Sequence, residues 1–68
     1  MADIKLTQQQ ATALDLLGEG KNYKEIALTL NVSYSRVINI LNEILLKTGF
    51  KSKRELIVNA KTLEYDVI

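Results

Sequence analysis

At 68 residues the chain has room for one hydrophobic core and no more, and a core that small removes only about 60% of the unfolded chain's surface from water. It contains neither Cys nor His, which excludes disulfide staples and ordinary zinc sites, so stability must come from helix packing, a partner, or both. The net charge of +1, with 47% apolar and 25% charged residues, is an ordinary globular balance; no apolar run nears the ~18 residues of a membrane span, Met1-Ala2-Asp3 does not open a signal peptide, and the expected location is the cytoplasm, away from membranes.

Four helices are predicted, at roughly 8–18, 23–30, 34–48 and 53–64, with no strand-like alternation between them. Thr7 with Gln10 forms a capping box at the start of the first, which carries Ala11, Leu14 and Leu17 at helical spacing and stops at Gly18-Glu19-Gly20. Asn22 with Glu25 opens the short second helix, whose apolar face is Ile26, Ala27 and Leu30. Asn31, a residue that tolerates a left-handed turn, ends it. Ser33 caps the third helix, where Val37, Leu41, Ile44 and Leu45 make a stripe that runs to Gly49. Ser52 with Glu55 reads as the clearest capping box of the chain and opens a fourth helix carrying Leu56, Ile57, Ala60 and Leu63; the last residues, 65–68, extend that helix or fray.

Charge is unevenly spread along these elements. Lys21, Lys24, Arg36, Lys47, Lys51, Lys53 and Arg54 against Glu25 and Glu43 give residues 20–54 a net of +5, while the segments on either side each carry −2. A basic middle suits a polyanion. A short helix, a three-residue turn and a longer capped helix, with Ala27, Val32, Ser33 and Val37 as small, apolar, capping and apolar residues, fix two helices at roughly 90–120°. That is the spacing of a helix-turn-helix, in which the second helix enters a groove and the first braces the phosphates.

The ordered set of residues resembles the LuxR/GerE-type (NarL-like) helix-turn-helix family over nearly the whole chain. Leu6 and Thr7 match its opening, with Gln10 where the family usually has Glu; Leu16, Leu17 and Gly20 match its leucine pair and glycine. Lys24, Glu25, Ile26 and Ala27 match intact, followed by Leu30, Val32, Ser33 and Val37, with Arg36 for a Thr. Ile44, Lys47, Gly49, Ser52, Glu55 and Leu56 complete the pattern, with Thr48 for a Leu and Lys53 for an Arg. The resemblance implies one all-α domain over 1–68, a tri-helical core plus a C-terminal helix, in which the third helix reads DNA and the fourth dimerises through Ile57, Val58 and Lys61. It implies a transcription regulator binding double-stranded DNA as a homodimer, either a stand-alone domain or a piece of a longer regulator.

The departures fall on the third helix. The family commonly has Lys and His where this chain has Ile38 and Ile40, and a polar or basic residue at Leu46. Two readings stay open. In one, DNA recognition is rewired: Asn39 and Asn42 pair with adenine, Arg36 reaches a phosphate or a guanine, and Ile38 meets a thymine methyl. In the other, Ile38, Ile40 and Leu46 form an apolar face for RNA polymerase or another regulator. Around the third helix, Ser33, Tyr34 and Ser35 lie where first-turn amides and hydroxyls meet phosphates. Lys21, Tyr23 and Lys24 open the bracing helix, and Lys53 and Arg54, beside Lys51, place positive charge where the helix dipole disfavours it unless a phosphate is near. Enzyme readings are poor: the scattered carboxylates form no pair, Gly18-Glu19-Gly20 is not a phosphate loop, and nothing points to a cofactor, metal or small-molecule substrate.

Overall fold

Thr7, Asn22, Ser33 and Ser52 stand in extended backbone, and the side chain of each accepts a hydrogen bond from the amide three residues on. A helix follows each one: α1 (Gln8–Gly18), α2 (Tyr23–Leu30), α3 (Tyr34–Thr48) and α4 (Lys53–Asn59). This is a computed structural model, and it describes residues 3–68. Met1 and Ala2, counted above within the domain and in the reading of a signal peptide, lie outside the described residues.

The caps satisfy amides that a helix start otherwise leaves without partners. At Thr7 and Asn22 the bond is reciprocal, with Gln10 and Glu25 accepting from the cap residue's own amide at 3.0 Å each. Ser52 departs from its expected box: Glu55 donates to Ser52 Oγ at 3.2 Å, but its carboxylate accepts from the Lys51 amide instead, at 3.0 Å. Asn31 ends α2 in the left-handed conformation, φ 57°, and Gly49 ends α3 at φ 79°. The first leaves only Val32 and Ser33 before α3, so α2 and α3 meet across a tight turn. Val32 is half-buried against the core, and its amide donates to the Ala27 carbonyl at 3.0 Å.

One core joins all four helices. Leu14, Ile26, Val37, Ile40, Leu41, Ile44 and Leu56 are fully buried within it, along with Leu6 from the N-terminal segment. Ala27 of α2 is buried in the same core. Gly18 lets α1 and α4 lie close: a Cβ there would come within 3.1 Å of Ala60 Cβ. Phe50 packs against the core just past Gly49, as the αL cap leads one to expect.

The C-terminus corrects the sequence reading. The fourth helix stops at Asn59 rather than running to 64, and residues beyond it turn back. The Asn59 carbonyl accepts from the amides of both Thr62 and Leu63, the last bonds of helical type before the backbone turns away. Leu63 and Tyr65 then pack on the core, and β2 (Asp66–Val67) pairs in parallel with β1 (Lys5–Leu6). Strands were not expected. This pair is two residues long, too short for any alternation to reveal, and Leu6 within it is fully buried. Asp66 and Ile68 donate to the Ile4 and Leu6 carbonyls at 2.9 Å each.

Candidate nucleic-acid interface

The face of α3 opposite the core is the centre of the candidate interface. Val37, Ile40, Leu41 and Ile44 point inward, and at about 3.6 residues per turn this turns Ser35, Asn39, Asn42 and Leu46 outward. All four are exposed, Leu46 at 86%. Tyr34 and Ile38 border this stripe, the first exposed and the second half-buried. Ile40 does not belong to it. Its side chain is fully buried, so the expected apolar face of Ile38, Ile40 and Leu46 loses its middle member, and the departure at position 40 is a core substitution rather than a surface one.

Arg36 lies on the flank of the stripe. Its guanidinium donates to Gln9 Oε1 on α1 at 3.0 Å and stands 3.8 Å from the Glu43 carboxylate. Glu43 in turn accepts from Gln10 Nε2 at 3.1 Å, and Gln10 Oε1 accepts from Lys47 Nζ at 2.8 Å. Lys47 also donates to the Lys5 carbonyl at 2.9 Å. A continuous polar seam therefore ties α3 to α1 and β1. Sequence reasoning did not find Gln9, Glu43 or Lys47 as members of it. Glu43 and Lys47 have the i, i+4 spacing of an ordinary surface ion pair, yet both bond to the amide of Gln10, which is nearly buried.

A second cluster forms where the starts of α2, α3 and α4 approach one another. The rings of Tyr23 and Tyr34 are 5.9 Å apart between centroids and tilted by 54°. Lys53 Nζ sits 4.9 Å above the Tyr23 ring, a cation–π contact that holds the ammonium beside the start of α2. Lys21, Lys24 and Asn22 line the adjoining cleft, floored by Leu17 and Ile57. Lys24, Ser33 and Arg54 are exposed. The structure thus brings Lys21, Tyr23, Lys24, Tyr34 and Lys53 together beside one end of the α3 stripe.

The residues expected at a dimer face are more dispersed. Ile57 is 45% exposed and forms part of the cleft just described, and Val58 is 74% exposed. Lys61 lines a different hollow with Asp15, Glu19 and Tyr65, between α1 and the C-terminal segment. In that hollow Tyr65 Oη donates to Asp15 Oδ1 at 3.3 Å. Partial burial, the Asp15 charge and this bond together raise the Tyr65 pKa above its ordinary value. Among the described residues no group of acidic side chains could hold a metal ion, and no helix is long and apolar enough to cross a membrane.

The capped α2, its tight turn and the protruding α3 define a helix-turn-helix domain. Residues 5–60 match the family described as bacterial regulatory proteins, luxR family, and the chain belongs to that family. It is similar to the transcriptional regulatory protein DesR of Bacillus subtilis (strain 168), with 38% identity over 56 residues. The aligned region covers 82% of this chain but 28% of that protein. No solved structure matches.

Proposed function

We propose that the chain is the DNA-binding part of a transcription regulator and places α3 in the major groove of duplex DNA, in the cytoplasm where bacterial DNA resides. The observation that carries this reading is the outer face of α3, where two amides, a hydroxyl and aliphatic groups stand clear of the core. Asn39 and Asn42 each offer a donor and an acceptor, the pairing that adenine N6 and N7 require, and Ile38 offers contact to a thymine methyl. Ser35, Tyr34 and the Ser33 hydroxyl, with the first-turn amides of α3, contact phosphates. Lys21, Lys24, Lys53 and Arg54 hold the backbone on the side of the tyrosine pair, and Arg36 holds it on the other.

Two copies bind through α4, where Ile57 and Val58 offer exposed apolar surface and Lys61 flanks them. Two-fold symmetry then sets half-sites about one helical turn, roughly 10 bp, apart. Titrating the protein into a labelled mixed-sequence duplex at several salt concentrations tests the reading. Non-specific dissociation constants of ~10⁻⁴–10⁻⁶ M that weaken steeply with salt are expected. Absence of binding at low salt refutes it, and turns attention to a protein partner held through Ile38 and Leu46.

A further inference from the structure

We infer that the half-site read by α3 is centred on A·T pairs, because Glu43 and Gln9 hold Arg36 off the reading face. The inference rests on the DNA-binding reading and deepens it. Guanine is most often recognised by Arg or Lys, which donate to its O6 and N7. The helix carries two such residues, Arg36 and Lys47, and both are engaged on the side facing α1 and β1. Lys47 donates to Gln10 and to the Lys5 carbonyl. Arg36 donates to Gln9 and extends along the helix toward Glu43, two turns or roughly 10 Å on.

The stripe left to meet the bases is Ser35, Ile38, Asn39, Asn42 and Leu46, with no cation in it. Amides suit adenine, aliphatic groups suit the thymine methyl, and the serine hydroxyl suits either kind of pair. The seam also disposes of the one carboxylate of α3. Glu43 accepts from Gln10 with Oε1 and faces Arg36 with Oε2, so no carboxylate is turned toward a cytosine amino group. Glu43 is thereby a specificity-determining residue that touches no base: it fixes which side chains of α3 reach the groove.

Binding-site selection from duplexes with a randomised half-site, read by sequencing, tests this on the whole chain. The wild type is expected to enrich adenine and thymine at the central positions, with replacement by a G·C pair weakening binding about tenfold. Arg36→Ala is expected to weaken all sequences alike and leave the selected consensus unchanged, as loss of a phosphate contact does. Glu43→Gln keeps the acceptor for Gln10 and removes the charge facing Arg36; it is expected to raise guanine at one position. A guanine-centred consensus in the wild type that disappears in Arg36→Ala overturns the inference. Salt-dependent binding with no enrichment overturns it while leaving the DNA-binding reading intact, and binding to no duplex overturns both.

Discussion

Lys47 near the end of α3 donates from Nζ to the side-chain oxygen of Gln10 in α1 at 2.8 Å, and the same amide donates onward to Glu43. One nearly buried neutral side chain thus stands between a cation and an anion of the presenting helix. Thr7's amide also bonds to the Gln10 oxygen, so the cap of α1 and the orientation of α3 share a residue.

Gln10→Ala is therefore expected to destabilise the fold by about 1–3 kcal/mol, because it leaves partners of a partly buried network without their bonds. In a domain of this size each kcal/mol lowers Tm by about 4–8 °C. Thermal unfolding followed by circular dichroism gives the value, and an unchanged Tm would show the seam to be ornamental.

Ile38 and Ile40 are expected to respond oppositely to the same substitution. Ile38→Lys adds a cation at the rim of the reading face and should tighten non-specific DNA binding and steepen the log–log salt slope by about 1. Ile40→Lys places an ammonium in the core without a partner and should prevent stable folding. Anisotropy on the first and circular dichroism on the second check the pair.

The proposed readers and phosphate holders separate by kind of loss. Asn42→Ala should weaken the selected site by about 1–3 kcal/mol with little change on mixed DNA. Lys24→Ala and Lys53→Ala should weaken every duplex and each reduce the salt slope by about 1. A Lys53→Ala protein with an unaltered slope would assign that ammonium to the Tyr23 ring alone.

Tyr65 makes stability sensitive to alkali. Its pKa is raised in the folded chain, so the protonated phenol favours the fold. That contribution is full below the unfolded value of about 10 and is lost as pH rises through the folded value. Denaturant midpoints of the wild type should fall above pH 10 more than those of Tyr65→Phe.

Much of the fold was legible because its boundaries are made of local chemistry. Thr7, Asn22, Ser33 and Ser52 each act within three residues of themselves, and Asn31 and Gly49 each carry a left-handed turn on their own. The starts of all four helices and the ends of α2 and α3 follow from them. The end of α4 did not, because Leu63 is spaced like a helical core residue and reaches the core by a turn instead; only the pairing of two distant chain ends decides between these. The same limit applied to part of the interface. Periodicity places Asn39 and Asn42 on the outside of α3, and the spacing of Ile40 from Val37 and Ile44 already puts it on the inward side; reading Ile40 with Ile38 and Leu46 follows the family comparison at position 40 and not that spacing. Periodicity could not show that Arg36, Glu43 and Lys47 turn toward glutamines some thirty residues earlier.

The claim that the outer face of α3 meets DNA is tested most directly by amide chemical-shift mapping, adding a short duplex to the isotope-labelled chain. The account predicts that the largest shifts fall on Tyr34, Ser35, Asn39 and Asn42, with smaller ones at Lys24 and Lys53, and that Asp15 is little affected. Shifts concentrated on α4 or on the hollow around Asp15 and Tyr65, with α3 unmoved, would contradict it.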